Sequence, residues 1–316
     1  MPLYQHQSRE AVMSISSYHP IIPQTDDNNN KSELLHTHSL FLQHFEILEA
    51  NNSPKLLNES YSLRYQVYCL ENPFEDASHF YDQKEKDCFD EHSLHILIRH
   101  RGTGESIATV RLVLPDPLNP QGQLPLETCC GPLLSNTTAE YQKSPAAYSP
   151  AEISRFAISK NAKQRIMDIP PIELGRVGKS TGNYTHWSRL LHSHLTLELV
   201  AAALQLSHNY GITHWYSLAT SALMKSLKRF GLYITPACPP IEHRGKRYPC
   251  LDNLQTLLAR VYQEHPDAWT ILTNNCTLWP ESARSAQKNK DKHIAPQSTL
   301  IPRRIPQWRF ATEFSQ

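Results

Sequence analysis

The sequence predicts an α/β domain, one central mixed sheet with helices on both faces. Two observations lead there. Over about residues 40–270, apolar runs of strand length alternate with segments of helical period. The early strands, 94–98 and 107–114, are joined by Arg101-Gly102-Thr103-Gly104 as an antiparallel hairpin, whereas the later ones are separated by helices, which are the connections that parallel neighbours need.

Taken in order, 45–48 is a short first strand. Pro54 opens a helix to about residue 70, because the first helical turn leaves unpaired the N–H that proline lacks; Leu56, Leu63, Val67 and Leu70 keep its period. An acidic loop, 71–92, leads into the hairpin. A short helix over 124–134 and a strand over 153–158 follow. The longest helical pattern is 187–210, apolar at Leu191, Leu195, Leu199, Ala202 and Leu206, with Gly211 placed to close it. A strand over 214–218, a helix over 222–230 closed by Gly231, a strand over 232–235 and a helix over 251–262 complete the order. Residues 1–38 read as a disordered polar segment, since a tract such as Asp26-Asp27-Asn28-Asn29-Asn30 buries too little to offset its ordering entropy. Residues 281–316 mix Lys288, Lys290 and Lys292 with Pro296, Pro302 and Pro306 and read as a basic, proline-containing tail. The folded domain is therefore placed at 39–280.

Composition narrows the function. The 31 basic and 30 acidic residues leave a net charge of +1, which gives no reason to expect a nucleic-acid partner. No stretch approaches the roughly 20 apolar residues of a transmembrane segment, and residues 1–40 hold no apolar run of a secretion signal. Seven cysteines without regular spacing fit a reducing compartment, and the expected location is the cytoplasm. Several motifs fail. Gly178-Lys179-Ser180 lacks the first glycine of a phosphate loop, which would fall at Glu173. His192-x-His194 has a spacing that points two rings apart on a helix, so no metal is expected. Cys69 and Cys88 have no orienting partner in sequence for nucleophilic work.

Four constellations remain, each with a plain structural alternative. Arg64 lies three residues after Tyr61 and four before Tyr68, on one helix face, and needs an acidic partner if that face packs on a sheet. Asp87-x-x-Asp90 in the acidic loop suits a cationic substrate or a buried arginine, or is simply solvated. Arg111 interrupts an apolar strand, which requires a cleft, a partner or a solvated face. In Glu152-Ile153-Ser154-Arg155-Phe156, the carboxylate and the guanidinium reach one side only if a β-bulge lies between them; otherwise they form a strand-end pair.

In this order the four resemble the autoinducer (acyl-homoserine-lactone) synthases over about residues 45–235, with Glu152-Ile153-Ser154-Arg155-Phe156 the most specific part. Further on, Leu227-Lys228-Arg229-Phe230-Gly231 and the stretch from Pro240 to Pro249 look closer to acyltransferases associated with exosortase (PEP-CTERM) systems, which are similar to N-acyl amino acid synthases. The resemblance implies the GNAT acyltransferase fold, no permanently bound cofactor, an acyl-phosphopantetheine donor with acyl carrier protein as partner, and a small-molecule amine acceptor. It implies Glu152 and Arg155 as the catalytic pair, and Arg64, Tyr68, Phe74, Asp87, Asp90 and Arg111 as substrate-binding residues. Phe74 stands where the autoinducer synthases usually carry the tryptophan near S-adenosylmethionine. Cation–π attraction is weaker over phenylalanine, so an amino acid acceptor is expected in place of that sulfonium. Lactone synthesis and a non-catalytic carrier-binding role are the alternatives. The usual GNAT pyrophosphate loop is not found after the Glu152 strand, which favours a carrier-protein donor over coenzyme A.

Overall fold

A computed structural model describes residues 33–116, 118–119, 122–142, 148–167, 181–275 and 277–279. The expected polar segment over 1–32, the tail over 281–316 and the failed phosphate loop near Gly178 lie outside the described residues.

The hydrophobic period organises a seven-stranded mixed sheet in the order β1-β2-β3-β4-β5-β7-β6. The strands are β1 (Phe45–Glu49), β2 (Ser93–His100), β3 (Ser106–Val113), β4 (Pro150–Ile158), β5 (His214–Ala219), β6 (Ile241–Glu242) and β7 (Lys246–Asn253). All neighbours are antiparallel except β4 and β5. The helices are α1 (Glu33–His44), α2 (Pro54–Tyr65), α3 (Pro125–Gln142), α4 (Lys160–Met167), α5 (Thr181–Asn209), α6 (Ser221–Lys228), α7 (Leu254–Glu264) and α8 (Pro266–Leu272). Helix α5 packs across β2 and β3, burying Leu195, Leu199, Leu206 and the Ala201–Ala203 run against Ile96, Ile98 and Val110. Gly211 and Gly231 close α5 and α6 with φ of +67° and +76°; a Cβ on Gly231 would stand 2.7 Å from the His265 ring, so that position needs glycine on both counts.

Four expectations change. Residues 33–38 are the first half of α1 and not part of a polar tail. The helix opened by Pro54 is α-helical only to Tyr65 and continues as a π-helical turn, Gln66–Glu71, the kind of bulge that re-aims side chains. Residues 232–235 form no strand: the prolines that follow, Pro236, Pro239 and Pro240, cannot donate to a ladder, and only the isolated Pro236–Cys250 bridge forms. The strand beside β5 is β7 instead, and it takes 251–253 from the predicted last helix.

Helix α1 is held to α5 by a buried charge cluster. His38 Nδ1 lies 2.6 Å from Glu198 Oε1, and His194 Nε2 lies 2.8 Å from the same oxygen without hydrogen-bond alignment. Burial would raise the Glu198 pKa, but the two imidazoles outweigh it and hold it at about 2; burial opposes charge on His38, but Glu198 wins and raises it. A depressed carboxylate stabilises above its unfolded pKa and a raised histidine below its own, so the pair contributes most between about pH 4.5 and 6.5. Glu198→Gln is expected to cost about 3 kcal/mol of stability, most in that window. Melting temperature measured across pH checks it, and an equal loss at pH 5 and pH 8 would remove the charge from the account. A chain beginning at residue 39 lacks His38 and should show the same deficit, whereas one beginning at 33 should not.

Candidate active site

The site grows from the end of β4. This strand pairs with β5 only over Pro150–Ile153 against His214–Ser217. Beyond Ile153 the two diverge, and a cleft of about 640 Å³ opens between them, with Ser154 to Ile158 on one wall and Ser217 to Thr220 on the other. The strand edge facing this cleft has no partner in β5, so its backbone groups, apart from the Phe156 carbonyl that accepts the Tyr68 hydroxyl at 3.2 Å, are available to an extended ligand.

On its other side β4 carries the expected bulge. Arg111 pairs with Ser154 and Thr109 with Ala157, so Arg155 and Phe156 together face Val110. Arg155 adopts φ +50°, in the left-handed region that a branched or long side chain avoids without support. The support is electrostatic: Arg155 donates to Glu85 Oε1 at 2.8 Å and to Asp87 Oδ2 at 2.9 Å. Its guanidinium also lies 5.8 Å from the Tyr68 ring centroid.

Glu152 is 4% exposed and lines the cleft. Its Oε2 accepts the Leu126 N–H at 2.6 Å, one of the unpaired donors in the first turn of α3. Burial pushes the carboxyl up to about 7, against the pull of that N–H and of Arg111. Such a group changes charge near neutral pH, as a general base must. Behind it, Tyr216 is its register partner across the parallel pair. The Tyr216 hydroxyl lies 2.7 Å from that of Tyr148 and donates to Glu127 Oε1 at 3.3 Å.

The π-helical turn, the acidic loop and β3 bring the remaining residues together. Arg64 is fully buried. Its Nε donates to Glu85 Oε2 at 2.6 Å, its Nη1 to Asp90 Oδ1 at 2.7 Å and its Nη2 to Asp90 Oδ2 at 3.1 Å. Arg111 Nη1 donates to Asp87 Oδ1 at 2.6 Å and to Asp90 Oδ1 at 2.8 Å, and its Nε to Ser154 Oγ at 2.9 Å. Burial opposes ionisation of Asp90 and Glu85, but the guanidiniums outweigh it and hold both below the usual carboxylate range. Asp87 and Asp90 also form a reciprocal cap on the short turn Cys88–His92, which fixes the loop end against β3. His95, buried beside this group, is pushed down to about 3 by burial and by Arg64, so it is neutral.

Two assignments are revised by this geometry. Arg64 and Asp90 do not line the cleft; they stand behind its wall and hold Arg111 and Glu85 in place. Arg111, Arg155 and Asp87 do reach the cleft, with Tyr68 and Phe74. Glu85, 1% exposed and shared by Arg64 and Arg155, is a residue the sequence reading left in a solvated loop. Of the cysteines, Cys69 is a thiol pushed up to about 11 by burial and by Glu85, which does not suit a nucleophile. Among the described residues one group has a metal-ligand donor set, His38, His194 and Glu198, on the α1–α5 contact and not among the residues lining the cleft.

Residues 63–168 match the family described as acetyltransferase (GNAT) domain. No curated protein matches the chain. Among solved structures it is similar to the AHL synthase LasI, at 22% identity over 66% of this chain and 87% of that one, with a TM-score of 0.43. It is also similar to FeeM, an N-acyl amino acid synthase from uncultured soil microbes, at 10% identity over 68% and 92% of the two chains and a TM-score of 0.41. A third is the CoA-dependent acyl-homoserine lactone synthase BjaI, at 15% identity over 72% and 98% and a TM-score of 0.42. The GNAT domain match over residues 63–168, carried on this mixed sheet, supports the class of acyltransferase for the chain. No helix among the described residues is long and apolar enough to cross a membrane.

Proposed function

We propose that the protein is an N-acyltransferase that moves a long-chain acyl group from the phosphopantetheine thioester of acyl carrier protein to the amine of an amino acid or similar small acceptor. The observation that carries this reading is a buried carboxyl, Glu152, poised near neutral pH in the cleft where β4 leaves β5. The pantetheine arm bears two amides and would lie along the unpaired edge of β4. The acceptor nitrogen attacks the thioester carbonyl; the C–N bond forms, the C–S bond breaks, and the pantetheine sulfur leaves as the thiol once it has received the proton that Glu152 takes from the nitrogen. The nitrogen sheds its proton to Glu152, directly or through one water. Backbone N–H groups that the bulge leaves out of the β3 ladder would serve as donors to the carbonyl oxygen as it gains charge, a role that such donors fill in acyl transfer. Asp87, 27% exposed at the cleft wall, is the carboxylate nearest to hand for the incoming ammonium.

The association with exosortase systems rests on the sequence resemblance, and the carrier-protein donor on that resemblance and on the missing pyrophosphate loop. Purified protein given long-chain acyl carrier protein and a mixture of amino acids should yield N-acyl amino acids by mass spectrometry. It should leave S-adenosylmethionine unchanged. Release of methylthioadenosine with an acyl lactone would replace this reading by the autoinducer synthase one.

A further inference from the structure

Four arginines line the cleft: Arg111, Arg155, Arg244 and Arg247. Three are already engaged. Arg111 and Arg155 are held by Asp87, Asp90 and Glu85. Arg244, at φ +52° in the β6–β7 turn, pairs with Glu75, donating to Oε2 at 2.7 Å. With Arg64 counted, four guanidiniums, Arg64, Arg111, Arg155 and Arg244, meet four carboxylates, Glu75, Glu85, Asp87 and Asp90. Arg247 is left over: among the described residues no carboxylate pairs with it. It is half-buried on β7, opposite Ile241, and its guanidinium carbon sits 5.6 Å from the Phe74 ring centroid.

Resting on the acyl-transfer reading, we infer that Arg247 is the anion-recognition residue of the acceptor site, and that the acceptor is an amine bearing a carboxylate. A guanidinium over an aromatic ring gains cation–π attraction without using its N–H groups, and its N–H fork matches a carboxylate with two parallel hydrogen bonds. Its position is fixed from both sides. The Arg244–Glu75 pair ties the β6–β7 turn to the loop that carries Phe74, and Phe74 supports the guanidinium. From Arg247 an aromatic wall runs inward, Phe74 to Tyr68 with ring centroids 6.4 Å apart, and ends at Arg155 over Tyr68 and the Asp87 carboxylate beside it. An amine that carries a carboxylate would set that carboxylate at Arg247 and its remaining chain along this wall. This also gives Phe74 a task other than facing a sulfonium: it carries the guanidinium.

The competing anion is the donor's phosphate, and the test separates the two. Full-length protein and the Arg247→Gln and Arg247→Lys variants are assayed with acyl carrier protein thioester, against L-amino acids and the corresponding amino acid amides. Wild type is expected to prefer the acid to the amide. Arg247→Gln should raise KM for the acid about 10- to 100-fold, the range for losing hydrogen bonds to a charged group. It should leave the amide rate, the donor KM and the melting temperature unchanged. Arg247→Lys should recover part of the acid preference, since it keeps the charge without the fork. Equal wild-type rates on acid and amide, or a loss confined to the donor KM, would overturn the assignment while leaving acyl transfer standing. A protein that acylates no amine of either kind overturns the acyl-transfer reading and this assignment with it.

Discussion

Glu152→Gln is expected to lower acyl transfer by about 100-fold or more, the lower end of what a positioned general base supplies, and at the same time to raise the melting temperature above pH 7. The two effects have one cause. The carboxyl is 4% exposed, and burial raises it from 4.5 to about 7. An acid whose folded pKa is raised binds more protons folded than unfolded between those values, so its ionisation weakens the fold as pH rises. By pH 8 the cost is on the order of 3 kcal/mol. Glutamine keeps the acceptor oxygen for the Leu126 N–H and carries no charge, so it removes the base and the cost together. A site that stores such a cost for its chemistry is where stability and activity trade against each other. In wild type the rate should climb through about pH 7 as the base loses its proton, and the residual rate of the variant should lack that inflection. A variant that keeps near-normal turnover would move the base to Asp87. A variant that melts lower at pH 8 would show Glu152 holding the fold together.

Most strands and helices over 45–230 were legible because their apolar periods are clean, and because Gly211 and Gly231 mark helix ends by a backbone conformation only glycine adopts readily; α4 was missed, since its first six residues, Lys160 to Arg165, hold one apolar residue, Ala162. The sheet beyond β5 was not. Leu232 to Thr235 has the residue types of a strand, but Pro236, Pro239 and Pro240 interrupt the donors that a continuous ladder needs. The true strand, β7, starts with Lys246 and Arg247 and contains Pro249, so it does not read as one. In the site, the bulge could be inferred because Glu152 and Arg155 are three apart, an odd offset that puts them on opposite faces of a regular strand. Glu85 was hidden for the opposite reason. In Lys84-Glu85-Lys86-Asp87 nothing local separates the buried carboxylate from its exposed neighbours. Only the π-helical turn after Arg64 and the long-range bond from Glu85 N–H to the Tyr61 carbonyl, 3.1 Å, bring it under the helix. Arg247 lies within the stretch from Pro240 to Pro249 and nothing local marks it, because its lack of a carboxylate partner is visible only once the partners of the other arginines are known.

Arg64→Met should be the most damaging change to stability, at about 3 to 5 kcal/mol, the cost of removing one partner from a buried ion pair. Arg64 is fully buried, donates from all three guanidinium nitrogens, and has its charge 5.2 Å from the Tyr61 ring centroid. Methionine fills much of the volume but leaves Asp90 with Arg111 and Glu85 with Arg155 as their remaining cations. For a domain of this size such a loss lowers the melting temperature by roughly 10 °C. The pH dependence identifies the mechanism. Asp90 and Glu85 are held below their ordinary range, so in wild type their stabilisation is present above about pH 4.5 and is lost only as pH falls through the depressed folded values. Without Arg64 both carboxyls move back toward ordinary pKa values, and the gap between wild type and variant should be widest near neutral pH and close as pH falls below about 4. Arg64→Lys should fall between the two, because a single ammonium cannot reach Glu85 and both Asp90 oxygens at once. Melting curves from pH 3 to pH 8 for the three proteins decide it. A variant as stable as wild type that has lost acyl transfer would place Arg64 in contact with substrate, which its burial behind the cleft wall argues against.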